Sequence, residues 1–333
     1  MSGPVVAGVD GSERSLAAAG WAAREALDRA VPLLLLHASP PLPPRVSPVP
    51  GADAWENVGE QMIRQTATDL AGRHPGLEVT GRHVSAPADE ALLTAARSAG
   101  LMVVGTRGWG GFDGLAVGSV ALRVATAADC PVVTVPERRA GAAPGADKAP
   151  GANEAAEEAG GAGEAGGAGV ADETGEEAGE EAGEVVAALD AHGRVAETAD
   201  FAFRAALARE ARLRVVHAWA LPAAAPSAWM IGVLEEDRAM WEDQEGQAVS
   251  DALRPWRTRY PQVDVLPDVV LLNPAQALVR SSARALLLVV GRRTAERVAE
   301  RHLGPVAHAV LHHARCPVAV VPHPQPKKTP NSA

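Results

Sequence analysis

Apolar residues in this chain come in short unbroken runs, and each run is followed by a stretch whose apolar positions recur three to four apart. Residues 4–9 form the first run, and a helix-period segment of about seventeen residues follows it. A second run at residues 33–38 ends in His-Ala and leads into a longer helical pattern around Trp55. A third run at 77–84, a short helix, a fourth run at 101–105, a glycine-rich loop, another helix and a last run at 131–135 complete the unit. Runs without polar alternation read as strands buried on both faces, and their alternation with helices predicts a parallel sheet covered on either side. Five strands and four helices in this order predict a doubly wound α/β domain. Its ligand site is expected outside the carboxyl ends of the strands, where the winding reverses.

The whole pattern occurs twice. "VVAGVDGSERSLAAAGWAAREAL" from Val5 matches "VVAALDAHGRVAETADFAFRAAL" from Val185, at a constant offset of 180 that holds through Ala38. Farther on, "AWENVGEQ" matches "MWEDQEGQ" and "ADCPVVTVP" matches "ARCPVAVVP" at an offset of 186. This is an internal duplication. It predicts two tandem doubly wound five-stranded domains, residues 1–137 and 185–323, joined by a linker at 138–184 and followed by a tail at 324–333. The last runs, "PVVTV" and "PVAVV", are apolar sheet edges that pairing with each other would hide; a homodimer is the alternative partner for such an edge.

Composition changes the picture mainly at the linker. Between residues 141 and 184 stand twelve Asp or Glu and one Lys, so nearly all of the formal charge of −10 resides there and the rest of the chain is close to neutral. With almost no large apolar residue, this segment cannot offset the entropy of ordering and is expected to be a disordered acidic Ala/Gly/Glu tether. The absence of a basic stripe argues against nucleic acid as a partner. No apolar stretch reaches the length of a membrane helix and the start of the chain has no leader pattern, so a cytoplasmic location is expected. The two cysteines, Cys130 and Cys316, each open a Cys-Pro-Val run and read as buried thiols.

Candidate chemistry gathers in "VVGTRGWGGFDGLAVGS", residues 103–119. Gly105 and Gly108 follow the fourth run and are expected to supply positive φ or close backbone approach to a ligand. Gly118 and Ser119 open the next helix, where unpaired amides and the helix dipole favour an anion. Across the crevice, Asp10-Gly11-Ser12 ends the first run and His37-Ala38 the second. The spacing Gly-x2-Gly-x9-Gly-Ser after the fourth strand, with Asp-Gly-Ser after the first, resembles the universal stress protein family in its tandem form. That resemblance implies Rossmann-like domains of the adenine nucleotide alpha hydrolase-like type, paired through their last strands. It also implies ATP or a related adenine nucleotide bound in the first half, with Asp10 and Ala38 lining the adenosine end, Gly105, Gly108, Gly118 and Ser119 holding ribose and phosphates, Arg107 as an additional phosphate neighbour, and Gly11 and Ser12 among the nucleotide-binding residues. The sequence offers no carboxylate cage, so any Mg2+ is expected to arrive on the nucleotide.

The second half departs from this pattern. It reads Gly291-Arg292-Arg293-Thr294, then nine residues to Gly304-Pro305, and Asp10-Gly11-Ser12 becomes Asp190-Ala191-His192. Pro305 removes an amide donor and a hydroxyl while remaining comfortable in a first helical turn. A weak or empty second site is expected, with Arg292 and Arg293 as partial compensation. His37 and His217 occupy matching positions and read as structural. His308, His312 and His313 near Cys316 suggest a metal, but the matching half has no such histidines, and a solvated helix face is the plainer reading. Trp109 in the loop reads as a shield for phosphates or a partner surface, or as a self-packed side chain. No Walker lysine, nucleophile turn or motif-placed carboxylate pair is present, so a regulatory or interaction module with an unidentified protein partner is expected rather than a turnover enzyme.

Overall fold

The computed structural model describes residues 3–40, 52–108, 117–136, 183–193, 195–219, 234–294 and 301–324. Trp109, the linker up to residue 182 and the tail from 325 lie outside the described residues, as does the Trp55 side chain. In the first half the chain runs β1 (Val5–Gly8), α1 (Glu13–Asp28), β2 (Leu33–Ser39), α2 (Ala52–Arg73), β3 (Val79–Ser85), α3 (Ala88–Ala96), β4 (Leu101–Gly105), α4 (Ser119–Ala127) and β5 (Val132–Val135). The second half runs β6 (Glu184–Ala188), α5 (Ala196–Ala208), β7 (Leu213–Trp219), α6 (Leu234–Arg259), β8 (Val265–Leu271), α7 (Pro274–Ser281), β9 (Ala285–Thr294), α8 (Pro305–His313) and β10 (Val318–Pro324). Glu184, the last residue of the predicted linker, opens β6, and its carboxylate lies 2.8 Å from the Arg214 guanidinium.

All ten strands form one sheet in the order β3-β2-β1-β4-β5-β10-β9-β6-β7-β8. Each half is parallel throughout, and the winding reverses between β1 and β4 and again between β6 and β9. The halves join where β5 and β10 pair antiparallel, with Val133 opposite Ala319. Both apolar edges are thereby removed from solvent.

Strand alternation feeds two cores. Val5, Ala7, Leu33, Leu35, Leu101 and Val103 face one side, where α1, α2, α5 and α6 pack. Val6, Leu36, Met102, Val104 and Val132 face the other, under α3, α4, α7 and α8. On α1 the buried stripe is Ala18, Ala19, Ala22, Ala23 and Ala26, all without exposed surface, so the helix backbone lies close to the sheet. The same position on α5 carries bulk. Phe203, which matches Ala23, is fully buried and its ring lies 5.6 Å from that of Tyr260 and 6.2 Å from that of Trp256. Both cysteines are free and buried, and burial pushes each thiol up to about 12.

Side chains also stitch the halves together on both faces. Glu25 on α1 is buried and lies 2.6 Å from Arg29 and 2.5 Å from Arg209 on α5. The two guanidiniums stack across the seam, Arg209 over Trp21 and Arg29 over Phe201. On the opposite face, Arg292 and Arg301 donate to the carbonyls of Ala128 and Ala127, each at 2.5 Å. Those carbonyls end α4, where the helix dipole favours a cation.

Candidate functional site

The sheet brings the predicted first-half residues to one place, the carboxyl end of β1 and β4. After β1 the chain turns through Asp10-Gly11-Ser12 into α1. Gly11 has φ +84, the left-handed region open to glycine at little cost. Asp10 Oδ1 accepts from the Ser12 amide at 3.0 Å and from its hydroxyl at 2.6 Å. Ser12 Oγ in turn accepts from the Ser15 amide, which caps α1. Buried Ser15, absent from the sequence expectation, closes the turn: its Oγ accepts from the Asp10 amide at 3.2 Å and donates to the Ser12 carbonyl at 2.9 Å. The Ser12 hydroxyl is thus engaged within its own turn, and Asp10 presents an exposed carboxylate held by two donors.

The glycines of the opposite loop earn their place differently from expectation. Neither Gly105 nor Gly108 has positive φ. A Cβ on Gly105 would stand 3.0 Å from the Arg14 carbonyl, so this glycine lets β4 pass close under the start of α1. A Cβ on Gly108 would fall 2.2 Å from Asp10 Oδ2, which places the loop backbone directly against the Asp10 carboxylate. Gly118 is the N-cap of α4, and its amide already donates to the Thr106 carbonyl at 2.7 Å. Its donor is therefore occupied, and the anion-binding capacity passes to the first turn of α4, which starts at exposed Ser119. Among the described residues no side chain caps that turn, and it holds no acidic residue. Arg107 is half-buried between these segments.

Ala38 sits across β1 from this cluster. Val9 donates to the Leu36 carbonyl, and Gly8 pairs with Leu36, so Ala38 stands level with Asp10 two residues on. Beside it, His37 Nδ1 lies 2.8 Å from the Val9 carbonyl; a carbonyl only accepts, so Nδ1 carries the hydrogen. The His37 ring stacks on His83 at 5.4 Å, beneath Gly59 of α2, where a Cβ would come within 2.8 Å of the His37 ring. His37 thus ties β2 to the end of β1.

The second half does not build this crevice. β9 runs on through Arg292, Arg293 and Thr294, which pair with Pro322, His323 and Pro324 of a lengthened β10. Thr294 Oγ1 also donates to the His323 carbonyl at 2.9 Å. The expectation that Arg292 compensates for the lost donors is overturned: its guanidinium is buried against the end of α4 in the first half. Burial and the neighbouring Arg301 hold its pKa down to about 10, and its Nε and Nη1 have no hydrogen-bond partner. The Asx turn survives, since His192 donates its amide to Asp190 Oδ1 at 3.2 Å, but the cap does not. Helix α5 starts at Ala196 with Val195 as a capless N-cap, three residues later than α1 in the aligned frame. Helix α8 keeps the geometry of α4, with Gly304 at φ −63 and ψ 160 and Pro305 at its first position.

In place of Ser12 and Gly59, the second half has His192 and Glu245, the residues at offsets of 180 and 186. Their side chains meet His217, the counterpart of His37: Glu245 Oε2 lies 2.7 Å from His192 Nε2 and 2.9 Å from His217 Nε2. The signal for this cluster lay in the repeat alignment, where both positions change together. Histidines 308, 312 and 313 line up along α8, ring to ring at 4.6 and 6.4 Å, and belong to no three-ligand cluster among the described residues.

The sequence model of the Universal stress protein family matches residues 1–136 and 181–322, most of the chain and both halves. The chain belongs to the universal stress protein family. A universal stress protein of Mycobacterium tuberculosis is 30% identical over 332 residues, covering 95% of each chain. The crystal structure of a universal stress protein from Archaeoglobus fulgidus superposes with a TM-score of 0.60 at 14% identity, covering 97% of this chain and 99% of its own, and shares the fold. A universal stress protein solved in complex with cAMP is 26% identical, with a TM-score of 0.34 over 40% of this chain and 98% of its own. No described helix of this universal stress protein is long and apolar enough to cross a membrane.

Proposed function

We propose that the first half binds one adenine nucleotide, ATP with any Mg2+ carried on its phosphates, and that the chain acts as a stress-response regulatory or interaction module rather than as a turnover enzyme. The observation that carries this reading is the contrast at the strand ends. β4 ends at Gly105 and α4 begins at Ser119 without a side-chain cap among the described residues, whereas β9 continues as paired strand. An uncapped helix start with exposed Ser119 suits phosphate oxygens, because among the described residues no side chain caps its amides. Gly108 keeps the loop within reach of Asp10, whose exposed carboxylate suits ribose or base donors, and half-buried Ala38 suits an apolar ring face. Arg107 adds charge beside the phosphates.

The test is calorimetric titration of the full chain with ATP and Mg2+, wild type against Ser119→Pro. The substitution imports the residue that α8 already carries at its first position, so the helix should form as before. It removes one amide donor and one hydroxyl. Two hydrogen bonds to a charged group at about 1.5–3 kcal/mol each predict a loss of affinity of roughly 100-fold or more. Unchanged binding in Ser119→Pro would place the phosphates elsewhere. A folded wild type that binds no nucleotide would leave a pseudo-dimeric scaffold acting through protein contacts.

A further inference from the structure

We infer that the second half carries a divalent metal site of the zinc class, built from His192, His217 and Glu245 where the first half has its open crevice. Each residue offers one ligand atom, and these atoms all lie within 4.8 Å of one another. The Glu245 oxygen is 2.7 and 2.9 Å from the two imidazole Nε2 atoms. Ligands around a tetrahedral zinc stand about 3.3 Å apart at zinc–nitrogen and zinc–oxygen lengths near 2.0–2.1 Å, so admitting the ion draws the Glu245 oxygen back by roughly half an ångström from each imidazole nitrogen and brings the two nitrogens, which lie within 4.8 Å of each other, to that same spacing.

The tautomer is compatible with a metal. His217 Nδ1 lies 3.0 Å from the Leu189 carbonyl, which can only accept, so Nδ1 carries a hydrogen; the Ala191 amide at 3.5 Å is the weaker neighbour. In the neutral ring Nε2 then presents a lone pair to a carboxylate oxygen, two acceptors face to face. The contact requires a cation, either protons on the rings or a metal ion shared by all three groups. A metal-bound histidine whose second nitrogen donates to a backbone carbonyl is the usual arrangement that fixes ring orientation.

Positioning is shared between rigid and open elements. The His217 side chain on β7 is 5% exposed, Glu245 projects from α6, and His192 is 64% exposed in the turn after β6. Two sides of the site are therefore built into the fold, and the third ligand comes from a solvent-exposed turn, where water can take a fourth position. A His2Glu set with an open fourth position is a recognised zinc donor set. The first half cannot do this, since Ser12 and Gly59 stand at the corresponding positions.

The test is zinc binding by the full chain, stripped with a chelator and without nucleotide, measured by competition with a chromophoric zinc indicator. One zinc per chain is expected. His192→Ala and Glu245→Gln, each verified as folded by circular dichroism, should each weaken it by roughly ten-fold or more, an effect at least as large as loss of an outer-shell partner. Because His192 is exposed, its variant reports on the site even if substitutions at buried His217 unfold the domain. His308→Gln with His312→Gln should leave the affinity unchanged. Absence of zinc binding in the wild type, or equal affinity in His192→Ala and Glu245→Gln, would overturn the inference. ATP binding in the first half should be the same in wild type and Glu245→Gln, so failure here and failure of the nucleotide reading are separable.

Discussion

The two halves of this chain share a sheet, a winding and nearly every core position, and differ where their strands end. In the first half β4 and β5 stop together, Thr106 donating to the Val135 carbonyl, and the chain leaves the sheet beside Asp10. In the second, β9 and β10 both run longer and keep pairing through Thr294 and Pro324. Three pairs, Arg292 with Pro322, Arg293 with His323 and Thr294 with Pro324, extend the sheet beyond the point where β4 and β5 end. The position of Arg292 completes the contrast: it has moved out of the crevice to grip the end of α4 in the other half. On the proposed reading, a duplicated fold keeps one copy for a ligand and turns the other toward holding the assembly together.

The largest expected effect tests whether the second half is the better packed. Phe203→Ala should cost about 3–5 kcal/mol, read as a lowered urea midpoint, because it empties the ring contacts with Trp256 and Tyr260. The first half already has alanine at the matching Ala23 and closes the gap with backbone proximity. Next, Glu25→Gln should cost about 2–3 kcal/mol, since it leaves Arg29 and Arg209 without their shared carboxylate. If the halves are one cooperative unit, fluorescence and circular dichroism will report the same shifted transition; two separate transitions would show that the seam is weak. Ser12→Ala should cost about 1 kcal/mol by removing the α1 cap, and the same change has no counterpart at α5, which starts without one. Smallest of all, Arg292→Met should change stability by no more than about 1 kcal/mol, because one hydrogen bond is lost along with a buried charge that has two unpartnered nitrogens. ATP affinity should not move in that variant. A marked loss of ATP binding in Arg292→Met would contradict the separation of roles between the halves.

The periodicity of apolar runs was enough to read element order and the duplication, because both depend on local burial patterns. The pairing of the last strands followed from their apolar edges and the family resemblance, with a homodimer as the alternative. The sequence motifs lead to the strand ends where the candidate site is proposed, and several of their detailed roles differ in the structure. Gly105 looked like a ligand-facing glycine, and the contact that excludes a side chain is instead the backbone of α1 at Arg14, a tertiary approach that spacing does not encode. Gly118 looked like a donor, and its amide is satisfied by Thr106. The extension of β9 through Arg292–Thr294 was hidden for a similar reason: a strand continues where its neighbour offers partners, and the length of β10 lies outside any local window. His192 and Glu245, 53 residues apart, were joined only by folding α6 over β7.

The central claim is that one half binds nucleotide and the other is closed to it. Native mass spectrometry of the full chain with ATP and Mg2+ measures this directly, as nucleotides per chain in wild type, Ser119→Pro and Pro305→Ser. The account predicts one in the wild type, none in Ser119→Pro, and one in Pro305→Ser, because restoring a serine does not shorten β9. Two nucleotides in the wild type, or a second gained in Pro305→Ser, would contradict it.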